Sequence, residues 1–485
     1  MITLAQVYTG LTNRPAPAGV LRQPVTPWVM NSQLIKPGGG FVARPGAREG
    51  SEDGHDYIGD ALQRGAAVVI AERTRIDPAS FSMKAQVIDL DDPAVEQLTP
   101  PVLFVTDDTL ATIQQLATWW RNQANPALKV IGITGSVGKT TTKELVSVVL
   151  ANRFRTWKSR GNYNSDVGLP LTLLDMPLDT ERAVVEMGMT RSGEIRELAA
   201  VVRPEVGVVT NVGTAHLMQL GSIDAIADAK AELVESLPAN GVAILNGDDE
   251  RVRAMASRTE AQIFTYGLQP EFSLWADQIE SHGLDGISFR FHHGRDSVFA
   301  RLPLLGRHSV HGCLAAASVG LTQGQRWGEI IGGLKDIAKL DVLRVVVVEG
   351  VNGSTLLDDT YNASPDSVMA ALNLLNDLGG RKIAVLGDML ELGAFSKEGH
   401  ARVARRAAIV ADRFVAVGQM APLMVDEARD AGLPKDRTFA AADRHEAEKW
   451  LQACLQPGDI VLIKGSRALQ LDELVTQLSV AGEDV

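Results

Sequence analysis

Cysteine is nearly absent from these 485 residues: only Cys313 and Cys454 occur, far apart and without the short spacing of a metal-binding pair. That excludes a disulfide framework and a cysteine metal centre, and two free thiols suit a reducing compartment, so the cytoplasm is the expected location. Long apolar runs are missing too. No stretch reaches the ~18 residues that a membrane span needs. The opening MITLAQVYTG lacks the basic start and apolar core of a secretory signal, so none is expected. Basic clusters are the third absence. Lys+Arg 47 against Asp+Glu 59 gives a net charge of −12, with no basic stripe, so nucleic acid is not an expected partner.

What is present is an ordinary globular balance, 45% hydrophobic and 22% charged, on a chain long enough for two to four domains. Three regions separate on pattern. Residues 1–105 scatter short apolar runs, such as Ala67–Ile70 and Val102–Val105, among Gly/Pro-rich segments, which predicts a small N-terminal α/β domain. After a helical stretch at Leu110–Gln123, residues 106–338 alternate apolar runs with helical patterns. The runs are Leu128–Ile133, Ala183–Met187, Gly207–Val212 and Val242–Leu245. Such alternation predicts a mostly parallel sheet flanked by helices. From 339 to 485 it restarts at Arg344–Val348, Lys382–Leu386, Phe414–Val417 and Ile460–Ile463, predicting a C-terminal doubly wound, Rossmann-like domain. The fold class is therefore α/β in three domains.

The strongest chemical signal is Val130–Thr142, an apolar run, a Gly-rich turn, then Lys139-Thr140 opening a helical pattern. Glycines let a backbone approach a phosphate chain, and a helix N-terminus adds unpaired N–H donors and a positive dipole end. Gly135, Ser136, Val137, Gly138, Lys139, Thr140 and Thr141 are thus candidate nucleotide contacts. Lys139 reaches the outer phosphates and the Thr140 hydroxyl serves Mg²⁺. The usual G-x-x-x-x-G-K-[ST] spacing is broken, because Ile133 stands where the first glycine belongs; Gly132 and Gly135 flank it.

Two further residues stand out physically. Glu186 ends the apolar run that contains Val184 and Val185, at the strand edge where α/β folds place ligands. Lys230 shares a helical stripe with Ile226 and Leu233, and with Ile223 and Leu237 farther along. Burying a lysine favours the neutral amine, which can take up CO₂ and become a carbamate, an oxygen ligand for Mg²⁺.

The compact loop Thr134-Gly-Ser-Val-Gly-Lys-Thr-Thr141 resembles that of the Mur ligase family. So do Gly161–Pro170, Glu186–Ile195, Thr210–His216, Asp358–Pro365, Leu386–Gly393 and Lys464–Ser466, in order and over nearly the whole chain. The Asp358–Asn362 and Gly387–Gly393 segments resemble the branch that adds D-alanyl-D-alanine. The resemblance implies an ATP-dependent ligase of peptidoglycan synthesis. ATP would phosphorylate the terminal carboxylate of a UDP-N-acetylmuramoyl-tripeptide, and the amine of D-alanyl-D-alanine would displace the phosphate. A monomer is expected.

It further implies that Glu186, His216 and a carbamylated Lys230 join Thr140 as Mg²⁺ ligands. Asn246 contacts adenine, Arg344 lies near phosphate and Asp359 at the ribose. Ser32, Asn164 and Arg191 serve the substrate. Two segments depart from the family pattern. Asn31-Ser32-Gln33 stands where Asp-Ser-Arg is usual in the uridine module, and Ser309 and Gly312 stand where asparagines are usual near adenine. Two alternatives stay open: a related amide ligase with another peptide or a folate polyglutamate as acceptor, and a nucleotide-responsive binding protein without chemistry.

Overall fold

The computed structural model describes residues 1–17, 23–46, 52–82, 84–161, 163–337 and 345–480. These form three sheets, of five, nine and six strands. The chain falls into two compact units. One comprises Met1–Gly132, Phe154–Met189 and Gly193–Val206; the other comprises Ile133–Arg153, Thr190–Ser192 and Gly207–Val485.

In the first unit the five-stranded sheet is all parallel. Its order is Trp28–Val29, Gly40–Val42, Val68–Glu72, Val102–Thr106, Gln86–Asp89. Parallel strands are covered on both faces, which explains why Val68–Ala71 and Val102–Phe104 are apolar without alternation and fully buried. The helix Thr109–Asn122 starts where Asp108 accepts the Ala111 N–H at 3.0 Å, one residue from the expected start. Thr156–Lys158 and Arg182–Glu186 form a further parallel pair, and the second of these is buried along its length.

In the second unit Val242–Asn246 pairs in parallel with Gln262–Gly267. An antiparallel meander of Leu274–Ser281, Ile287–His293 and Asp296–Leu302 follows. The sequence reading did not anticipate this meander. The helix Lys139–Ala151 is packed by two others, Ser309–Thr322 and Trp327–Asp336. Gly333 permits the second approach, since a Cβ there would lie 2.6 Å from the Val148 carbonyl oxygen.

The six-stranded sheet has the order Val346–Gly350, Ser354–Asp358, Asp459–Lys464, Arg381–Gly387, Arg413–Val417, Thr438–Ala441. Only the first pair is antiparallel. Its last strand in sequence, Asp459–Lys464, inserts between the second and third, which creates a topological switch point. Separate apolar clusters, one around Leu372 and Phe414 and one around Leu451 and Leu474, pack against it. This is the doubly wound pattern, whose ligand crevice lies at strand C-termini.

Candidate active site

The phosphate loop leaves the strand Lys129–Thr134 and enters the helix Lys139–Ala151 through two glycines in left-handed conformations, Gly135 at φ 149° and Gly138 at φ 85°. They are needed for different reasons. A Cβ on Gly135 would lie 1.9 Å from Thr210 Oγ1, so space and conformation both demand glycine; a Cβ on Gly138 would meet nothing within 4 Å, so only its φ does.

The segment after the strand Val206–Val209 holds the loop open from below. Val137 N–H donates to Asn211 Oδ1 at 2.8 Å, while Thr210 Oγ1 and Asn211 Nδ2 donate to the Val137 carbonyl at 2.7 and 2.9 Å. Ser136 N–H donates to the Asn211 carbonyl, and Gly213 N–H to Ser136 Oγ at 2.8 Å. Lys139 Nζ donates to the Gly135 and Ser136 carbonyls at 2.8 and 3.4 Å, which keeps its charge over the loop. Thr140 and Thr141 fill the first helical turn.

A cavity of about 380 Å³ runs beside this loop from Val137, Gly138 and Thr141 to Asn246, Tyr266 and the first turns of Ser309–Thr322. Asn246 is buried, and both ends of its amide are engaged: Nδ2 donates to the Thr210 carbonyl at 2.8 Å and Oδ1 accepts from Asp248 N–H at 3.1 Å. Here it positions the loop and the following turn.

Lys230 lies in the helix Ile223–Glu235, which Ser222 caps, and is 1% exposed with Ile226 and Leu233. The helix ends before Leu237, so the stripe is one residue shorter than expected. Among the described residues no carboxylate pairs with Lys230. Burial, with the Lys139 charge adding to it, pushes its ammonium well below the ordinary lysine range. His216, at φ 65°, titrates lower than usual because of burial and the Lys139 charge, opposed by Glu391 and aided by Lys230. Its Nδ1 lies 3.1 Å from Glu391 Oε2, out of line for a hydrogen bond. Thr214 Oγ1 is buried and has no partner among the described residues.

In the first unit, Glu186 is buried at the end of its strand. Asn164 Nδ2 donates to its Oε1 at 2.7 Å and its own N–H donates to Ser159 Oγ at 3.1 Å. Ser32 is buried and hydrogen-bonds the Asp60 carboxylate, whereas Asn31 and Gln33 are exposed and Asn31 Oδ1 accepts the Gln33 N–H at 2.9 Å. Asp53 and His55 are spent on structure: they pair at 2.6 Å and His55 Nε2 accepts from Glu72 N–H.

Arg191 is exposed in the second unit. Asp359 sits at the switch point, paired with the buried Lys464 at 2.7 Å. Arg344 lies outside the described residues. Sequence reasoning missed Asp366, which lines the cavity and accepts the Thr214 N–H at 3.4 Å. It also missed the loop-bracing roles of Thr210 and Asn211, whose signal was a pair of polar residues directly after a buried apolar strand.

Known proteins of one family resemble this chain along nearly its whole length. The family model for the Mur ligase middle domain matches residues 133–320, and that for the Mur ligase glutamate ligase domain matches 343–467. A UDP-N-acetylmuramoyl-tripeptide–D-alanyl-D-alanine ligase of Mycobacterium tuberculosis is 34% identical, over 98% of this chain and 96% of its own length. A crystal structure of MurF from Acinetobacter baumannii superposes with a TM-score of 0.81 at 29% identity, covering 98% of both chains. MurF ligase from Thermotoga maritima in complex with ADP gives 0.74 at 28% identity, covering 93% of this chain and 96% of that one.

Proposed function

The chain belongs to the Mur ligase family, and from that premise we propose that it joins D-alanyl-D-alanine to a UDP-N-acetylmuramoyl-tripeptide with conversion of ATP to ADP and phosphate, in peptidoglycan synthesis. It is an ATP-dependent enzyme that forms an amide bond. A terminal carboxylate oxygen of the tripeptide attacks the γ-phosphorus, the bond to the β-phosphate oxygen breaks, and ADP leaves. The free amine of D-alanyl-D-alanine then attacks the carbonyl carbon of the acyl phosphate. The carbon–oxygen bond to phosphate breaks, the amine nitrogen gives up one proton, and inorganic phosphate departs with that proton and the former carboxylate oxygen.

With the Ser136 and Val137 N–H groups donating to Asn211, the N–H groups of Gly138–Thr141 at the helix start bind the phosphates, and the Lys139 ammonium spreads the charge on the transferred group. We assign Thr140, Glu186, His216 and Lys230 to Mg²⁺, with Lys230 as its carbamate. The fit rests on chemistry within each unit: Glu186 is a buried carboxylate fixed by Asn164, and Lys230 is a buried amine with no acid to pair with among the described residues. Bound Mg²⁺ would supply positive charge to the phosphate oxygens, and hard oxygen donors suit it. Asp359, Arg344 and Asn246 serve the nucleotide, Asn246 by holding the cavity wall. Ser32, Asn164 and Arg191 serve the UDP-muramoyl substrate.

The division of labour follows segments 1–105 for the UDP end, 106–338 for ATP and 339–485 for the last ligase domain. A monomer is the assembly proposed. The reducing location inferred from two unpaired cysteines is the cytoplasm.

One observation carries the enzymatic reading over simple nucleotide binding: a fully buried lysine with no carboxylate partner among the described residues, its ammonium further disfavoured by the charge of the phosphate-loop lysine. Such a group costs stability and gives a mere binder no return. The test is mass spectrometry of products from purified protein, Mg²⁺-ATP, D-alanyl-D-alanine and a panel of UDP-muramoyl peptides. The expected result is a UDP-muramoyl-pentapeptide with stoichiometric ADP. ADP release without dependence on both substrates would overturn it.

A further inference from the structure

Resting on the nucleotide-binding reading above, we propose that His311, fastened by Asp248, reads the base: its Nδ1 accepts a hydrogen from a 6-amino purine and so selects ATP over 6-oxo purine nucleotides. The phosphates belong at the loop end of the 380 Å³ cavity, which leaves the base at the end formed by Asn246, Tyr266 and the helix Ser309–Thr322.

Most polar side chains at that end are spent or hidden. Asn246 is 7% exposed with both amide ends engaged, and Tyr266 is 1% exposed. Ser309 is 8% exposed and donates its hydroxyl to the Leu305 carbonyl at 2.6 Å. Position 312 is glycine, and a Cβ there would lie 3.0 Å from Leu145 Cδ1. The two helix positions that resemblance would fill with asparagine therefore present no amide to a base.

His311 lies between them, lines the cavity and is one-third exposed. Its Nε2 is 2.8 Å from Asp248 Oδ2, and a carboxylate only accepts, so Nε2 carries the hydrogen. In the neutral ring Nδ1 is then the acceptor, and it has no partner among the described residues. A 6-amino group donates to that lone pair, whereas a 6-oxo oxygen repels it. Asp248 is itself fixed: its N–H donates to Asn246 Oδ1 at 3.1 Å and its Oδ2 accepts from Leu268 N–H at 2.9 Å. Asn246 thus acts on the base through Asp248 and His311. His308 also faces this cavity but opens onto a neighbouring one beside Arg307, and no hydrogen bond fixes its ring among the described residues.

Calorimetric binding to the full chain tests this without requiring turnover. Wild type should prefer ADP to IDP by about tenfold, and should bind the diphosphate of a purine lacking any 6-substituent about tenfold more weakly than ADP, one hydrogen bond's worth. His311→Ala should shrink the ADP/IDP preference to about twofold or less by weakening ADP. Asp248→Asn, which keeps an acceptor oxygen, should retain most of the preference, whereas Asp248→Ala should lose it. Equal binding of ADP, IDP and the unsubstituted purine by wild type overturns the proposal with no variant needed. So does a His311→Ala protein that keeps the preference. Binding of neither nucleotide overturns the nucleotide site itself. The predicted preference without any amide product overturns the ligase reading alone.

Discussion

The two ends of the nucleotide cavity are built on different principles. At the proposed phosphate end the contacts would be backbone N–H groups, so what the chain must supply is conformation: two glycines at positive φ and a helix start. At the proposed base end the contacts would be side chains, and here Ser309 and Gly312 stand where resemblance leads one to expect asparagines, with the His311–Asp248 pair beside them. Recognition by backbone leaves a motif that few substitutions can replace. Recognition by side chain can be rebuilt from other residues with the same donors and acceptors.

The largest expected break is Lys139→Ala, which removes a charge from the phosphate end and leaves the base end untouched. Turnover should fall on the order of 10³-fold, and the thermal midpoint should stay close to wild type, since Lys139 is not part of a core. Activity within a few-fold of wild type would separate the loop from the chemistry.

Lys230→Met comes next, keeping volume while removing the amine. Turnover should fall by roughly 10² or more. Stability should hold or rise, because a buried amine with no carboxylate partner among the described residues is replaced by an apolar side chain. In Lys230→Ala, acetate should restore part of the activity by replacing the lost carboxylate. A protein that is both inactive and strongly destabilised would make Lys230 a structural residue.

Gly135→Ala tests the backbone principle directly, since the new Cβ collides with Thr210 Oγ1. ADP affinity should drop on the order of 10²-fold, with the Lys139 side chain intact. If nucleotide titration shows unchanged affinity, the loop does not hold phosphate in this conformation.

Smallest is Asn246→Ala at the other end. Losing the tie from the Thr210 carbonyl to the Asp248 turn should cost about 1–3 kcal/mol in denaturant unfolding, the cost of unsatisfied buried groups. The ADP/IDP preference should fall as well, because Asp248 loses its anchor. A stability loss with an unchanged preference would restrict Asn246 to structure.

Legibility followed the same division. Glycines and a Lys-Thr at a strand-to-helix junction announced the loop, and an apolar helical stripe announced the buried Lys230, because both are local patterns. Most of the apolar runs that were read fall within one or two residues of a strand, as with Ile460–Ile463 for the observed Asp459–Lys464, but Gly207–Val212 overran Val206–Val209 by three, and Gln262–Gly267, Ser354–Asp358 and Thr438–Ala441 went unread. The meander at 274–302 went unread although its strands, of eight, seven and seven residues, are among the longest described, because their alternation, as in Ile287-Ser-Phe-Arg-Phe, was submerged by the search for βα units. Asp366 was unreadable for a different reason: it reaches Thr214 across 152 positions, and no local spacing marks it. Asn246 could be named as a site residue, but the commitment of both amide ends shows only in three dimensions.

The central claim, transfer of the γ-phosphoryl group to a substrate carboxylate before amide formation, is tested most directly by oxygen-18. UDP-muramoyl-tripeptide labelled in both oxygens of its terminal carboxylate is turned over with unlabelled ATP and D-alanyl-D-alanine, and the products are analysed by mass spectrometry. The account predicts one labelled oxygen in the released inorganic phosphate and one retained in the new amide carbonyl. Amide product accompanied by wholly unlabelled phosphate would contradict it.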